Sequence, residues 1–375
     1  MSRLVVSALV AAFVVGSAHA AAPSSPQPKS EAGPFEVTTV AKGFEHPWGL
    51  ELLPDGRMLI TERAGRMRVI DKDGKASAPL KGVPKVAAGG QGGLLDITLS
   101  PTFASDSLVY FSFSEAGAGG NSTAVARGRL GADALEDVQV IWRQTPKVDS
   151  QLHFGSRIVF APNDTMFITT GDRFNQRPKV QDLSTTIGKV IRIKIDGTIP
   201  TDNPFVNRDG ARPEIWSYGH RNIQAAALHP ETKSLWTVEH GARGGDELNN
   251  PQAGKNYGWP VITYGIDYSG EKIGEGTEKA GMEQPVYYWD PVIAPSGAVF
   301  YTGDAFKEWK GNLLIGSMTP GGLVRLELEN GKVAKETRYL GDLRERIRDV
   351  QQGADGSIYL ITDSQQGRVL KLTPK

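Results

Sequence analysis

Apolar and polar residues recur along this chain in a unit that occurs six times. Each copy contains an apolar segment of β type, a turn with Pro, Asp, Asn or Gly, and a second apolar segment that ends in a small or acidic residue. In the clearest copy, the segment from Leu50 turns at Pro54-Asp55-Gly56 and the second segment ends at Glu62. The other copies occupy residues 95–112, 158–172, 226–239, 298–317 and 350–363. Each copy predicts a β-hairpin, because Gly or Asn tolerates positive φ and Pro presets φ for a turn.

Six such hairpins predict the architecture of the whole chain. A lone hairpin cannot bury its apolar face, so the copies must pack against one another. They start roughly 45 to 75 residues apart, a spacing that suits four-stranded blades arranged around an axis. The 44 glycines and 23 prolines supply the turns that such a fold needs. We therefore expect an all-β chain that forms a six-bladed β-propeller of four-stranded antiparallel blades; a two-sheet sandwich is the alternative.

The N-terminal segment has the pattern of an export signal. Arg3 is followed by an apolar run over residues 4–15, and Ala18-His19-Ala20 fits the small-x-small pattern of a signal peptidase site. We expect residues 1–20 to be a signal peptide cleaved near Ala20, residues 21–34 to be a disordered lead-in, and residues 35–375 to be the propeller domain. The protein is then periplasmic or secreted. An uncleaved membrane anchor is the alternative, although the run is too short for a spanning helix.

The charge balance limits the partners of the chain, and the lack of cysteine limits what can stabilise it. The chain has 42 Lys and Arg against 42 Asp and Glu, and it has no cysteine. A balanced charge argues against nucleic acid as a partner, and no later stretch is apolar for long enough to span a membrane. Without disulfides, an exported chain must be stabilised by its core and by any bound metal.

His153 and Asp172 are the first candidates for chemistry. His153 lies just before the third copy of the unit, and Asp172 ends the second segment of that copy. The two strands of a hairpin bring such positions to the same end of a sheet. A carboxylate beside an imidazole fixes its tautomer and stabilises its protonated form, which makes His153 a candidate general base. A histidine with a purely structural hydrogen bond is the alternative.

Planar hydrogen-bonding side chains precede three further copies. Gln91 lies in the glycine-rich loop 89–93, which lacks the Lys-Ser/Thr of a phosphate loop and taken alone is typical of a turn. Arg221 and Asn222 precede the fourth copy, and an arginine fork suits a carboxylate. Arg346 and Arg348 precede the sixth copy and share one face of a strand. We expect an anion between these two arginines, with a solvated run of charge as the alternative.

The loop 239–247 is the candidate metal site. It is rich in glycine and in acidic residues, and calcium takes carboxylates and backbone carbonyls from irregular loops. Its spacing does not match an EF-hand loop, and the chain has no His/Cys cluster at the spacing of zinc ligands. The loop therefore favours calcium over zinc.

Taken in order, the motifs resemble those of the soluble quinoprotein glucose/aldose sugar dehydrogenases, and most closely the aldose sugar dehydrogenase branch, whose members are broad in substrate. Single motifs are weak, but the ordered set is specific and extends from about residue 44 to about residue 370. The matching stretches are His46-Pro47-Trp48-Gly49-Leu50, Gly92-Gly93-Leu94-Leu95-Asp96, His153-Phe154-Gly155, Gly171-Asp172-Arg173, Gln181-Asp182-Leu183, Gly188-Lys189-Val190-Ile191-Arg192-Ile193, Asp202-Asn203-Pro204-Phe205, Gly219-His220-Arg221-Asn222, Glu239-His240-Gly241, Asn256-Tyr257-Gly258-Trp259-Pro260 and Arg346-Ile347-Arg348-Asp349.

The resemblance implies a six-bladed propeller that holds pyrroloquinoline quinone and Ca²⁺ at the mouth of its channel. His153 matches the family's catalytic base, which removes a proton from the anomeric hydroxyl of an aldose, and Asp172 matches the partner carboxylate. A hydride then passes from C1 of the sugar to C5 of the quinone, and the sugar becomes a lactone. Gln91 matches a residue near both cofactor and substrate. An external electron acceptor completes the reaction.

The resemblance also implies which residues contact the cofactor. Arg221, Asn222, Arg346 and Arg348 match cofactor contacts, and the three carboxylates of the cofactor give the arginines a physical purpose. Tyr268, in the stretch Tyr264 to Tyr268, is a further candidate.

The same match implies two calcium positions, and at one residue the chain differs from the family pattern. Gly241 and Ala242 match positions whose carbonyls hold the cofactor-bound calcium, which would polarise the quinone as a Lewis acid. Glu247 and Tyr257 match a further calcium position, with Tyr257 acting through its carbonyl. Thr319 stands where the family commonly has a cofactor-binding lysine, so one cationic contact to the quinone is missing.

Two other functions are possible on the same scaffold. A calcium-dependent lactonase would need acidic or Asn ligands at the channel centre, whereas the candidates here are His, Gln and Arg. A non-catalytic binding module would keep the fold without the chemistry, because fold alone does not imply function. We expect the dehydrogenase, acting as a monomer or homodimer.

Overall fold

Six β-sheets stand around a common axis and form a six-bladed β-propeller. The computed structural model describes residues 28–375. The predicted signal peptide, and residues 21–27 of the predicted lead-in, lie outside the described residues. In the described part, no helix is long and apolar enough to cross a membrane.

The strands follow one another blade by blade along the first half of the chain. Two strands, β1 (Ser30–Glu31) and β2 (Phe35–Phe44), come before blade I. Blade I contains β3 (Pro47–Leu52), β4 (Met58–Glu62) and β5 (Arg66–Ile70); blade II contains β6 (Leu94–Leu99), β7 (Leu108–Gly117), β8 (Gly120–Leu130) and β9 (Leu135–Arg143); blade III contains β10 (Ile158–Ala161), β11 (Thr165–Thr169), β12 (Lys189–Lys194) and β13 (Ile215–Tyr218).

The second half of the chain continues in the same way. Blade IV contains β14 (Ile223–Leu228), β15 (Leu235–Glu239), β16 (Asp246–Asn249) and β17 (Tyr287–Trp289); blade V contains β18 (Pro295–Phe300), β19 (Leu313–Ser317), β20 (Gly322–Glu329) and β21 (Lys332–Tyr339); blade VI contains β22 (Ile347–Gln352), β23 (Ile358–Thr362) and β24 (Gly367–Pro374). The helical elements are short: α1 (Phe103–Asp106) and the 3₁₀ turns Arg177–Val180, Lys307–Trp309 and Gly341–Leu343.

The six-fold sequence unit corresponds to the first two strands of each blade. The first copy is the hairpin of β3 and β4, and the later copies are β6–β7, β10–β11, β14–β15, β18–β19 and β22–β23, all antiparallel. The predicted propeller is therefore confirmed. Blade I departs from the four-stranded plan, because only a single bridge between Ile70 and Ala76 follows β5.

The N-terminal strand closes the ring. β2 pairs antiparallel with β24 and becomes the outer strand of blade VI, so the two ends of the propeller domain share one sheet. β1 adds a fifth, parallel strand to blade V through Ser30 opposite Arg338 and Glu31 opposite Tyr339. The segment 21–34 was expected to be disordered, but at Ser30–Glu31 backbone pairing gives it order that its polar sequence does not indicate.

The core lies between neighbouring blades, where the faces of two sheets meet. In β4, Leu59 packs with Phe111 of blade II, whereas Ile60 packs with Val369 of blade VI. All four side chains are fully buried. Because a middle strand is covered on both faces, its sequence is apolar almost throughout instead of alternating. Burying each such side chain contributes roughly 1.5–3 kcal/mol.

The first strand of each blade is the innermost, and all six begin at the same end of the axis. The segments that precede these strands, and those that follow the second strands, therefore converge there. Two long connections reach the same end: residues 170–188 of blade III and residues 250–286 of blade IV. These connections lie largely in the two longest gaps between copies of the sequence unit, residues 173–225 and 240–297.

Candidate functional site

A cavity of about 250 Å³ opens on the axis at the end where the inner strands begin. Five blades supply its lining: His46, Trp48, Arg63, Gln91, Asn222, Gln224, His240, Met318, Arg346, Arg348 and Asp363. Of the residues that the sequence singled out, Gln91, Asn222, Arg346 and Arg348 meet at this cavity. They come from distant parts of the chain, as expected for loops that converge on a channel mouth.

His153 and Asp172 lie beside the cavity and contact each other directly. His153 Nδ1 donates a hydrogen bond of 2.6 Å to Asp172 Oδ1, and both side chains are buried. The Gln91 side chain connects the pair to the cavity, because its Oε1 accepts a hydrogen bond of 2.8 Å from the His153 amide. The carboxylate fixes the proton on Nδ1, so Nε2 carries the lone pair that a base needs.

Two opposing effects determine the protonation of this pair. Burial lowers the pKa of His153 below its ordinary value of 6.5, although the hydrogen bond and the charge of Asp172 raise it in part. Burial alone would raise the pKa of Asp172, but its hydrogen bond from His153 and the positive charge of Arg221 hold that pKa below its usual range. At neutral pH, His153 is a neutral imidazole beside an ionised carboxylate, which is the state of a general base.

The backbone at His153 has a strained conformation, and neighbouring residues hold it in place. His153 has φ 52°, in the left-handed region, where a non-glycine residue persists only if its surroundings hold it. Arg173 supplies part of the hold: its fully buried guanidinium donates to the carbonyls of Ser150 at 2.5 Å and Leu152 at 3.0 Å. The guanidinium also stacks 3.9 Å from the centre of the Phe154 ring. Both flanks of His153 are thereby fixed.

Two aromatic side chains complete the surroundings of the dyad. Trp259, from the long loop of blade IV, donates its Nε1 hydrogen to Asp172 Oδ2 at 2.8 Å. The ring of Phe174 is nearly perpendicular to that of His153, with 5.4 Å between the ring centroids, and the Phe174 amide donates to Asp172 Oδ1 at 2.8 Å. Asp172 therefore accepts three hydrogen bonds, which hold the carboxylate in the orientation that positions His153.

Arg221 occupies the space between the dyad and the loop 239–247. Its amide donates to Glu239 Oε2 at 2.6 Å, and its Nη1 donates to the carbonyls of His240, at 3.1 Å, and Gly241. Its Nη2 lies 3.4 Å from the hydroxyl of Tyr268, which is 59% exposed at the rim. Tyr268 is thus close to the predicted cofactor contacts without lining the cavity.

Arg346 and Arg348 share one carboxylate. Arg348 Nη2 donates to Asp363 Oδ2 at 2.7 Å, and Arg346 Nη2 lies 3.8 Å from the same oxygen. The other oxygen of Asp363 accepts a hydrogen bond of 2.8 Å from His46 Nδ1. Burial would raise the pKa of Asp363, but Arg348 and the hydrogen bonds hold it well below its usual range. One carboxylate thus faces several positive groups on this wall.

Three arginines at the site have donors without acceptors. The Nε atoms of Arg63, Arg221 and Arg348 are buried and have no hydrogen-bond partner among the described residues. A buried donor left unpaired costs roughly 1–3 kcal/mol. Arg63 and Arg348 line the cavity, so a ligand there is one source of acceptors for them, whereas Arg212 and Arg325 have the same unpaired Nε away from the cavity. An acidic molecule fits the positive charge of these arginines, although the terminal nitrogens of Arg221 and Arg348 already have partners in the protein.

A buried ion cluster closes the channel beneath the cavity. Arg157 Nη1 lies 2.7 Å from Asp96 and 2.9 Å from Asp349, and its guanidinium stacks 4.2 Å above the Trp48 ring. Its Nη2 also donates to the carbonyl of Arg348 at 3.1 Å. Asp96 and Asp349 are therefore engaged by an internal cation, and the cluster joins the inner strands of blades II, III and VI. Glu51 lines the same part of the channel without an ion-pair partner in the described residues, and burial raises its pKa to about 8.

The predicted calcium residues Glu247 and Tyr257 form a pocket with Glu239. Glu247 stands directly opposite Glu239 in the β15–β16 ladder. Burial and the charge of Glu239 raise the pKa of Glu247 well above its usual range, as expected for two acidic residues placed face to face without a cation. The hydroxyl of Tyr257 already bonds Asn250 and Gln252, which leaves its carbonyl for a metal. The oxygen donors fit a hard cation.

The other predicted calcium position has a different arrangement. The carbonyl of Gly241 accepts a hydrogen bond from Arg221 Nη1, so the guanidinium supplies a positive charge at that oxygen. Ala242 is buried beside it. A calcium ion at Gly241 would share this carbonyl with Arg221. No group of three or more His, Cys, Asp or Glu side chains within residues 28–375 is arranged to hold a metal, so carbonyls must complete either position.

Thr319 lies outside the cavity, and its neighbour Met318 faces inward. Thr319 is exposed just after β19, whereas Met318 is buried and lines the cavity. Arg346 Nη2 approaches the Met318 sulfur at 3.6 Å. Thr319, which the sequence offered as a cofactor contact in the place of the family's lysine, does not line the cavity, because Met318 forms this part of the wall.

Several site residues were not identified from the sequence. Asp363 ends the sixth copy of the repeat as Asp172 ends the third, and this equivalence could have revealed it. His46 and Trp259 were noted only as parts of motifs. Arg63 carries no sequence signal, because its importance depends on a donor left without an acceptor.

Comparison with known proteins decides the family. The family described as Glucose / Sorbosone dehydrogenase matches residues 44–371, which is most of the chain. This protein belongs to the glucose/sorbosone dehydrogenase family. Among family relatives, the aldose sugar dehydrogenase YliI of Escherichia coli K12 is 47% identical over 345 residues, which cover 90% of this chain and 93% of YliI.

Solved structures of similar proteins agree with this membership. The apo form of the soluble aldose sugar dehydrogenase from Escherichia coli is 46% identical, has a TM-score of 0.89 and is matched over 91% of this chain and 100% of its own. The PQQ-bound form of an aldose sugar dehydrogenase from Streptomyces coelicolor is 28% identical, with a TM-score of 0.75 over 92% of this chain and 99% of its own. The glucose/sorbosone dehydrogenase fold is thus conserved along nearly the whole propeller.

Proposed function

We propose that this protein is an aldose sugar dehydrogenase that depends on pyrroloquinoline quinone and calcium and oxidises the C1 hydroxyl of aldoses to lactones. The observation that carries the proposal is the His153–Asp172 dyad beside a cavity whose arginines have unpaired buried donors. Relatives named aldose sugar dehydrogenase, one of them solved with PQQ bound, support the substrate class and the cofactor. Reconstitution of the apo-protein with the quinone and Ca²⁺ tests it.

Some residues of the site would bind the cofactor, whereas others would transfer the proton. Arg221, Arg346, Arg348 and Asn222 would bind the carboxylates and carbonyl oxygens of the cofactor, with the orphaned Nε atoms of Arg221 and Arg348 supplying two donors. When bound, the quinone supplies the acceptor for the hydride that leaves C1 of the sugar. The Arg157 ion cluster lies below the site, between the cavity and the opposite end of the channel.

His153 handles the proton of the reaction. Its Nε2 takes the proton of the anomeric hydroxyl as the C1 hydrogen departs with its electron pair, so the sugar loses two hydrogens and gains a carbonyl. Asp172 keeps the Nδ1 hydrogen in place and stabilises the imidazolium that forms. General-base catalysis of this kind contributes roughly 10²–10⁴-fold in rate. An external acceptor then takes the electrons and restores the enzyme.

Calcium would be held by oxygen atoms of blade IV and its long loop. Glu247 and the carbonyl of Tyr257 would hold one ion, which relieves the repulsion between Glu247 and Glu239. The carbonyls of Gly241 and Ala242 would hold the ion nearest the cofactor, where a divalent cation polarises a quinone oxygen. Export to the periplasm or the exterior, through the signal at residues 1–20, remains part of the proposal.

The lactonase alternative has one carboxylate without an ion pair at the channel centre, Glu51, and no group of three or more His, Cys, Asp or Glu side chains in the described residues is arranged to hold a metal. A calcium-dependent hydrolase on this scaffold needs carboxylates there that are available to a metal. Asp96 and Asp349 occupy that position, but Arg157 lies between them at ion-pair distance. The arrangement of charges therefore favours the dehydrogenase.

A further inference from the structure

Lys189 is a fully buried lysine at the start of β12, and the function proposed above assigns no role to it. The residues that follow it in this strand include Val190, Ile191 and Ile193, which are apolar and equally buried. The ammonium contacts backbone oxygens, and no carboxylate lies within ion-pair distance of it among residues 28–375. A buried charge without a counter-ion costs free energy, so a lysine here indicates a role that an apolar side chain cannot fill.

The ammonium of Lys189 binds three backbone carbonyls of one loop. Its Nζ donates to the carbonyls of Ile187 at 2.7 Å, Val180 at 2.8 Å and Lys179 at 3.3 Å. An ammonium has three donors, so the group is fully satisfied. Lys179 and Val180 end a 3₁₀ turn, whereas Ile187 lies near the end of the long connection of blade III. The lysine therefore joins the middle of this connection to its end.

The charge of Lys189 strengthens these three hydrogen bonds, because a carbonyl oxygen accepts more strongly from a cation than from a neutral donor. Burial lowers the pKa of Lys189 to about 7, although the negative charge of Asp182 raises it in part. Below that pH, the side chain has its charge and all three donors. The loop is therefore held most firmly in mildly acidic solution.

The main chain of Lys189 is bound to the segment that carries the dyad. Its amide donates to Thr170 Oγ1 at 2.8 Å, and its carbonyl accepts a hydrogen bond of 3.0 Å from the Thr170 amide. The amide of the neighbouring Gly188 donates to the carbonyl of Gly171 at 3.0 Å. Asp172 follows directly in the chain. Lys189 is thus fixed relative to the strand end that presents the partner carboxylate of the base.

The loop that Lys189 holds packs around the indole of Trp259. Val180 and Ile187, whose carbonyls bind the ammonium, belong to a small buried cluster that contains Trp259. The other members of this cluster are Val148, Ala242 and Ile273. Because a closely packed interior transmits small shifts, a displacement of either carbonyl would disturb the packing around the indole.

Trp259 connects this packing to the dyad. Its Nε1 donates to Asp172 Oδ2 at 2.8 Å, and its carbonyl accepts a hydrogen bond of 2.8 Å from Gln181, which follows the 3₁₀ turn. We propose that Lys189 is a positioning residue of the base, because its ammonium fixes the loop against which Trp259 and Asp172 are aligned. The inference rests on the proposed function, since it takes His153 as the base of sugar oxidation.

The hydrogen on His153 Nδ1 reports the geometry of the dyad without cofactor or turnover. A proton in a short hydrogen bond between histidine and carboxylate resonates downfield of the amide region in the proton NMR spectrum, and its absence from His153→Gln assigns it. In the apo-protein at about pH 6, where Lys189 is charged, this resonance should shift or disappear in Lys189→Met, which has a similar length but no donor. Lys194→Met, at the exposed end of the same strand, is the matched control and should leave it unchanged.

Turnover of the reconstituted protein gives the second readout. Lys189→Met should lower kcat about tenfold or more while the sugar KM and the affinity for the quinone stay within about twofold, because only the alignment of the base changes. Leu326→Ala removes a fully buried side chain from β20 of blade V. This variant destabilises the fold away from the site and should keep kcat within about twofold of the wild type.

A double-mutant cycle with Trp259→Phe separates positioning from a purely structural role. Phenylalanine keeps an aromatic ring in the cluster but loses the donor to Asp172. If Lys189 acts through the indole, adding Lys189→Met to Trp259→Phe should lower kcat further by less than about twofold. Effects of the two substitutions that multiply, or a wild-type kcat and resonance in Lys189→Met, would overturn this inference alone.

Lys189→Gln, whose amide keeps two donors, provides the same test should the Met variant fail to fold. Its resonance should shift and its kcat should fall, and wild-type values of both would overturn the inference. If the resonance of the dyad responds as expected but the wild type oxidises no sugar, the proposed function is overturned and the positioning of the dyad by Lys189 is retained.

Discussion

The indole nitrogen of Trp259 donates a hydrogen bond of 2.8 Å to Asp172 Oδ2. The carboxylate that orients His153 is thereby fixed by a side chain from a different blade, on the long loop between β16 and β17. Gln181 ties this loop down in turn, because its Nε2 donates to the Trp259 carbonyl at 2.8 Å. The position of the base thus depends on the packing of two loops against each other.

Replacement of Asp172 by Asn should slow turnover and shift its dependence on pH. The charge of Asp172 raises the pKa of His153, so its removal lowers that pKa further below 6.5. Since the base acts when unprotonated, the acidic limb of kcat/KM should move to lower pH while kcat falls at least about 100-fold. A pH–rate profile measures both effects. A limb that moves to higher pH would contradict the assignment, and Asp196→Asn, on an exposed turn, should leave the profile unchanged.

Replacement of His153 by Gln should separate binding from turnover. No predicted cofactor contact depends on the imidazole Nε2, so the quinone should bind within about twofold of the wild type. The rate of sugar oxidation should fall by about 10²–10⁴-fold, the contribution of a general base. The comparison is His229→Gln, a histidine in the β14–β15 turn. Equal turnover in His153→Gln would remove this residue from its role.

Replacement of Arg157 by Met should destabilise the propeller. Asp96 and Asp349 would then be buried charges without a partner, at a cost of about 3–5 kcal/mol in the free energy of unfolding. Burial already raises the pKa of Asp96 to about 6 in the presence of Arg157. The loss should therefore shrink as the pH falls and the carboxylates become protonated. Urea unfolding at about pH 5 and pH 8 measures this difference.

A loss below about 1 kcal/mol at pH 8 would show that the ion cluster is not a structural element of the channel. Arg57→Met, at an exposed ion pair with Asp55, is the control and should change stability by less than about 0.5 kcal/mol.

Replacement of Glu247 by Gln should stabilise the metal-free protein and should reduce the rise in Tm that calcium causes. In the metal-free protein it removes the repulsion with Glu239 across the ladder, so the variant should be more stable by up to about 1 kcal/mol. Calcium should raise the Tm of the wild type through mass action and should raise that of the variant much less. Thermal unfolding with calcium and with a chelator distinguishes these states. An equal rise in both proteins would place the ion elsewhere.

The repeat explains how much of this fold the sequence predicts. A period of turn residues and apolar segments is a local signal, so the six hairpins and the converging positions of His153 and Asp172 could be predicted. The pairing of β1 with β21 could not, because Ser30–Glu31 has no apolar pattern and is ordered by backbone hydrogen bonds alone.

The site was less predictable where it depends on long-range packing. The inward direction of Met318 instead of Thr319 depends on how the chain leaves β19, where the Met318 amide bonds the carbonyl of Ala294. The Nε of Arg63 is a donor without an acceptor in the described residues, and only the folded structure shows this. The family resemblance supplied what the pattern of residues lacked, namely the ligand that we propose for this cavity.

The most direct test is reconstitution of the purified apo-protein. Incubated with pyrroloquinoline quinone and Ca²⁺ and given an artificial electron acceptor, it should oxidise aldoses to lactones, with omission of the quinone abolishing the rate. Measurement of acceptor reduction over a panel of mono- and disaccharides, with lactone identified as the product, gives the result. Absence of acceptor reduction with every sugar, in protein shown to have bound the quinone, would contradict the account.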